Sequence, residues 1–182
     1  RTAEPEDGLA AVLFGEIETL LRDAGCKLAD VDLFAALSGP GSFTGIRVGL
    51  SAVKALAETS GKPVLAVSNL EALAFAGEGP VRAAVLPGRR GDVFGAVFRD
   101  DLEPLVPERV EPAETFFERA LALGASWTTS SPELALPDGV EARIVAPLAE
   151  AAARLASRRQ AGSPETVDAN YVERPAVEKT AP

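Results

Sequence analysis

The stretch from Val31 to Val67 constrains the fold more than any other part of the chain. Val31 to Leu37 (VDLFAAL) is an almost continuous apolar run bounded by turn residues, the pattern of a strand covered on both faces. A Gly-rich turn follows, Gly39-Pro40-Gly41-Ser42-Phe43-Thr44-Gly45, after which Ile46, Leu50, Val53 and Leu56 recur at the spacing of an amphipathic helix over 46–57. Gly61-Lys62-Pro63 breaks that helix, and Val64 to Val67 supplies a second buried strand. A strand, a helix and a strand in this order close as a parallel βαβ unit, which puts the chain in the α/β class.

The remaining elements extend this unit on both sides. Leu9, Leu13, Ile17, Leu20, Leu21 and Ala24 mark an amphipathic helix over 9–24, stopped by Gly25. Ser68-Asn69-Leu70-Glu71 reads as a capping box opening a helix to about Ala76. Val81 to Leu86 and Val93 to Phe98 flank Gly88-Arg89-Arg90-Gly91-Asp92, which predicts a hairpin. Pro112 to Leu123 is a further helix, Val140 to Val145 a strand, and Pro147 to Gln160 a last, Ala-rich helix. From Ser163 onward apolar anchors are few, so the tail is expected to dock at Tyr171 and Val172. With Gly77 to Pro80 as a boundary, the layout is a first lobe over 1–78, a second over 79–162 and a tail over 163–182.

Composition narrows the chemistry. The 182 residues contain no histidine, which removes the commonest general base, the Ser-His and Cys-His nucleophile pairs and imidazole metal ligands. Glu16, Glu18 and Asp23 fall on the exposed part of the first helix and do not converge as an acid and base pair would, so neither a catalytic nor a metal-ligating set is expected. The net charge of -9 has the wrong sign for a surface that grips phosphates unaided. Cys26 is single and follows a helix C-terminus, where the dipole disfavours a thiolate. No apolar run reaches the roughly 20 residues that cross a bilayer, and Arg1 opens without an apolar leader. The expectation is a reducing cytoplasmic setting, with the missing methionine pointing to a trimmed or incomplete start.

The Gly-rich turn carries two readings. Gly39, Gly41, Ser42 and Thr44 are placed to cradle a phosphate at a helix N-terminus, or else the glycines turn the chain while Ser42 and Thr44 cap the helix, the commoner use. It is no Walker A motif, since no Lys follows the glycines. Gly45 and Gly49 share one face of the following helix, with Ala52 extending the strip. A glycine inside a helix costs about 1 kcal/mol relative to alanine, so Gly49 implies close approach of another backbone, either a partner's or the chain's own first helix. Arg47 opposes the helix dipole in the first turns and is either aimed at an acidic partner or simply solvated. Arg89 and Arg90 form a basic spot at the hairpin tip, a plain solvated turn or a contact for tRNA or a partner.

Leu37-Ser38-Gly39-Pro40-Gly41-Ser42-Phe43-Thr44-Gly45-Ile46-Arg47-Val48-Gly49 resembles the signature of the TsaB family, also called YeaZ. The resemblance continues through Val67-Ser68-Asn69-Leu70-Glu71-Ala72-Leu73 and Arg89-Arg90-Gly91-Asp92-Val93-Phe94, and ends in Asn170-Tyr171-Val172-Glu173-Arg174-Pro175. It implies an actin-like ATPase fold of two ribonuclease-H-like lobes, with the opening strands of the first lobe missing from this chain. It implies a non-catalytic subunit of the complex that makes threonylcarbamoyladenosine next to the anticodon of tRNA. The implied partners are a TsaD-like catalytic subunit and a TsaE-like ATPase, with a homodimer when the chain is alone and tRNA reached only through the complex. ATP and metal are then expected on the partner subunits, and no cofactor on this one. The helices that such subunits use for pairing correspond to 9–24 and 44–58, carrying Leu13 and Ile17 on the first and Gly45, Arg47, Gly49 and Ala52 on the second.

The chain departs from the family where Pro87 replaces a frequent Asp, where Phe94 replaces a frequent Tyr, and in lacking the opening strands with their Asp-Thr-Ser turn. The competing class is a nucleotide hydrolase or a peptidase-like enzyme of the same superfamily. A peptidase needs a nucleophile set the composition denies, and an ATPase is expected to carry phosphate loops in both lobes, whereas one Gly-rich loop is visible.

Overall fold

A computed structural model describes residues 9–172; Glu173, Arg174 and Pro175 of the closing block lie outside the described residues. The elements run α1 (Leu9–Asp23), β1 (Phe34–Gly39), α2 (Phe43–Ser60), β2 (Val64–Ser68), α3 (Asn69–Ala76), β3 (Val81–Pro87), β4 (Asp92–Arg99), β5 (Pro104–Pro112), α4 (Ala113–Ala122), β6 (Ser126–Thr129), β7 (Ala142–Ile144) and α5 (Ala149–Ala156). β1 and β2 pair in parallel, from Phe34 opposite Val64 to Leu37 opposite Val67, as the βαβ pattern requires. The other strands form one sheet in the order β5-β4-β3-β6-β7, with the β3–β4 hairpin antiparallel and β6 parallel to both β3 and β7.

Among the described residues, three apolar clusters hold these layers together. Strand alternation sends Ala84 and Leu86 of β3 toward α3 and α5, while Ala83 and Val85 face α4 with Phe116, Phe117 and Trp127. α3 is apolar nearly all round, with Leu70, Ala72, Leu73 and Ala74 fully buried, and such a helix belongs inside a core. It joins Val67 of β2 to Ala84 and Ala96 of the larger sheet in one cluster, and α5 packs there too through Leu155. On the outer side of the small sheet, Ile46, Leu50 and Ala57 of α2 cover Phe34 and Val64, with Val53 and Leu56 alongside, so the strip read from periodicity is the buried one.

Several elements differ from the sequence expectation. β5 is nine residues long although Pro104, Pro107, Glu108 and Arg109 interrupt any strand pattern. It survives because it is the sheet's edge, where a proline need not donate to a ladder. β6 has four residues, too short for periodicity to register. The first strand begins at Phe34 rather than Val31, after a 3-10 turn over Leu28–Asp30, and α5 stops at Ala156 rather than Gln160. Pro112 caps α4 from outside instead of filling its first turn. The tail is anchored at Val167, which is 1% exposed against Phe34, Ile46 and Val64, and by a bridge between Gly162 and Val64, whereas Tyr171 is 54% exposed.

Candidate functional site

The carboxyl ends of β1, β2, β3 and β6 converge on one cleft of about 880 Å³, lined by Ser42, Thr44, Asn69, Arg89, Ser130 and Ser131 among others. Open α/β sheets present ligands at this edge. Pro87 and Phe94, the two departures from the family pattern, also line it.

The Gly-rich loop at its mouth is fixed from inside the protein. Gly39 has φ +108°, and a Cβ there would lie 2.9 Å from both the Asn170 carbonyl oxygen and Ile46 Cδ1, so glycine is required. The Gly39 amide donates to Asn69 Oδ1 at 3.0 Å. Ser42 Oγ accepts from the Gly45 amide at 3.3 Å, which makes Ser42 the cap of α2, while Thr44 sits inside the first turn, exposed, and is not the cap.

Glu108 is the site residue that the sequence did not reveal. β5 carries a bulge here: Gly95 pairs with Arg109 and Val97 with Val106, so Pro107 and Glu108 together oppose Ala96. A bulge re-aims a side chain, and Glu108 turns across to the small sheet. Its carboxylate accepts from Ser68 Oγ and, at 2.6 Å, from Asn170 Nδ2. Ser68 Oγ in turn accepts from the Leu70 and Glu71 amides as the α3 cap. Burial pushes the Glu108 carboxyl above its usual range, although the hydrogen bonds from Ser68 and Asn170 pull it down. Nothing in PLVPERVEP distinguishes this glutamate from a solvated one, because its partners lie 40 and 62 residues away.

The face formed by α1 and α2 is separate from the cleft. Leu13, Phe14, Arg47, Val48, Ser51 and Ala52 line a shallow groove of about 350 Å³. Phe14 is 52% and Leu20 50% exposed, while Leu13 and Ile17 are half-buried. A Cβ at Gly49 would meet nothing within 4 Å, so Gly49 is not held against the chain's own first helix. Gly45 is likewise near only Ser42, whereas Ala52 is 6% exposed and already covered. Arg47 lies over the Phe43 ring at 5.1 Å, and Phe43 stacks on Tyr171 at 5.7 Å between centroids. The hairpin tip leaves Arg89 and Arg90 exposed, with Arg90 at φ 55° ahead of Gly91 at φ 86°.

A second cleft, of about 920 Å³, brings Arg82, Arg143, Arg154, Arg158 and Arg159 together from β3, β7 and the α5 region. Most of these cations are engaged: Arg159 donates to both Glu71 oxygens, which raises its pKa, Arg143 pairs with Glu78, and Arg154 with Glu150. Arg82 donates to the Ala74 and Gly79 carbonyls. Among the described residues no three His, Cys, Asp or Glu side chains gather as a metal site would need.

The family model described as "TsaD: tRNA N6-adenosine threonylcarbamoyltransferase" matches residues 9–151. The chain belongs to this family. TsaB of Escherichia coli, the tRNA threonylcarbamoyladenosine biosynthesis protein, is 31% identical over 121 residues, 62% of this chain and 52% of TsaB. A tRNA N6-adenosine threonylcarbamoyltransferase of Agrobacterium fabrum is 53% identical over 55 residues, 30% of this chain but 15% of the transferase. A crystal structure from Pseudomonas aeruginosa, described as an uncharacterized protein with similarity to peptidase YeaZ, superposes with a TM-score of 0.71 at 27% identity, covering 90% of this chain and 83% of its own. The long alignments are thus to TsaB and YeaZ, and the chain is of the TsaB/YeaZ kind within the family, with their actin-like, ribonuclease-H-like fold. It spans about half the length of TsaB and about 15% of the transferase. No described helix is long and apolar enough to cross a membrane.

Proposed function

We propose that this chain is a non-catalytic scaffold subunit of the assembly that forms N6-threonylcarbamoyladenosine next to the anticodon of tRNA, and that a TsaD-type catalytic subunit docks on its α1–α2 face. One observation carries the reading: in a TsaB-like chain, α1 exposes Phe14 and Leu20, Phe14 lines a groove with Val48 and Ser51 of α2, and Gly49 on α2 has no atom within 4 Å of where a Cβ would lie. Apolar side chains around a small-residue strip let a second helix approach closely. The same face serves a homodimer when the catalytic subunit is absent.

The chemistry of the chain supports a partner's role. It has no histidine, and the Glu108 carboxylate is spent on Ser68 and Asn170. The Gly-rich loop has likewise committed the Gly39 amide to Asn69, which takes one donor away from a phosphate cradle. ATP and metal then belong to the TsaD-like and TsaE-like subunits, working with this chain in the cytoplasm. The charge of -9 supports a grip on tRNA that comes mainly from those partners.

The test is to mix the purified chain with the cognate TsaD-like protein and measure molar mass by size-exclusion chromatography with light scattering. A heterodimer is expected, and two separate peaks at micromolar concentrations refute the proposal.

A further inference from the structure

The described tail behaves as two parts. Up to Ala169 it belongs to the core, since Val167 is buried among Phe34, Ile46, Leu50 and Val64, Ala169 packs half-buried on the same cluster, and Asp168 pairs with Lys54 at 3.8 Å. Beyond it, Asn170 and Val172 are half-buried, and Tyr171 lies at the surface. Asn170 and the residues after it are held differently: the Asn170 amide donates to the Ser38 carbonyl at 2.8 Å, the Asn170 side chain donates to Glu108 at 2.6 Å, and Tyr171 stacks on Phe43. Together they lay the segment across the Gly-rich loop, with the Asn170 carbonyl against Gly39 and Val172 forming one wall of the cleft.

We propose that residues 170–172 are a closing strap and that Glu108 is its latch, reaching from the large sheet to hold Asn170 over the Gly-rich loop and thereby fix Phe43 and Arg47 at the start of α2. Hydrogen-bond roles make the latch specific. Ser68 Oγ accepts from the Leu70 and Glu71 amides, so its proton is left to donate, and it goes to Glu108 Oε1. Glu108 Oε2 is then the oxygen that receives Asn170 Nδ2, a group that only donates. The charged groups nearby do not compete for Asn170: Glu71 on α3 is taken by Arg159, and Asp168, ahead of the strap, pairs with Lys54. With the strap closed, the stack of Tyr171 on Phe43 and the guanidinium of Arg47 over the same ring make one fixed surface beside the α1–α2 groove. With the strap open, Phe43 loses its cover, the cleft loses its Val172 wall, and the first turn of α2 is released. The latch is a property of the chain alone and stands whether or not the scaffold reading does.

The chain has a single tyrosine and a single tryptophan, which gives a clean experiment. Fluorotyrosine labelling places one fluorine resonance at Tyr171, shifted by the Phe43 ring when the strap is closed, while emission from Trp127 in the α4 core reports that the fold persists. In Asn170→Ala and in Glu108→Ala the open fraction is expected to rise about tenfold or more, with Trp127 emission unchanged. Because both variants remove the same bond, the double variant should open no further than either alone. A resonance that stays at its wild-type position in either folded variant overturns the proposal, and so do additive effects in the double variant. Should Glu108→Ala fail to fold, Asn170→Ala decides alone; if that variant also unfolds the chain, the segment is core rather than strap and the proposal fails.

Discussion

Gly49→Leu separates stability from association in one substitution. The position lies inside the 18-residue helix α2, where glycine costs about 0.8–1 kcal/mol relative to a good helix former such as leucine. A Cβ there meets nothing within 4 Å, so no steric penalty offsets that gain in the isolated chain. For a protein of this size 1 kcal/mol corresponds to about 2–4 °C in Tm, and the variant is expected to melt higher by that amount. If Gly45 and Gly49 form the floor on which a partner helix lies, the isobutyl group holds the two backbones apart. Pairing with the TsaD-like subunit then weakens at least about tenfold, the equivalent of 1.4 kcal/mol. Differential scanning fluorimetry gives the first quantity and titration calorimetry against the partner the second. A variant that melts several degrees lower refutes the open reading of this face. One that melts higher and still pairs with wild-type affinity refutes the docking assignment.

Gly95→Ala should be costly for the opposite reason, because its Cβ would fall 2.4–2.6 Å from ring atoms of the fully buried Phe116; a loss of about 1–3 kcal/mol in urea denaturation is expected, and wild-type stability would contradict the packing. Glu108 should leave a mark on the pH dependence of stability. Burial raises its folded pKa above the ordinary value of 4.5, so the folded chain takes up this proton first and the contribution to stability is largest at low pH, fading as the pH rises through the folded value. Relative to Glu108→Gln, wild type should therefore gain stability as the pH falls through that interval, and a difference that does not vary with pH rules the assignment out. The isolated chain is expected to bind tRNA weakly at physiological salt and to turn over neither ATP nor peptide, for want of positive charge and of histidine. Saturable sub-micromolar binding in a gel shift, or chelator-sensitive hydrolysis, would contradict this.

What the sequence determined by itself is whatever depends on neighbours in the chain. The βαβ unit, the core-facing strip Ile46, Leu50, Val53 and Leu56, the hairpin around Gly88 to Asp92 and the Ser68 cap all follow from short-range spacing, and the structure has each of them. The Gly-rich signature pointed to the family by its residues alone, while the reason Gly39 must be glycine, the Asn170 carbonyl and Ile46 leaving no room for a Cβ, is partly tertiary. Only the tertiary structure decided the rest. β5 is a strand because β4 offers it an edge, although two prolines interrupt its pattern. Ser42 caps α2 and Thr44 does not, a choice between two competent side chains settled by the backbone entering the helix. Gly49 faces open space rather than α1, since no atom lies within 4 Å of where its Cβ would be, and spacing along one helix could not show where the other helix would lie. Glu108 is a latch only because a bulge turns it toward Ser68 and Asn170, partners that the folded chain brings within hydrogen-bond reach across 40 and 62 residues of sequence. Local spacing fixes which elements form, but the cost and benefit of a buried carboxylate depend on donors that arrive from elsewhere in the chain.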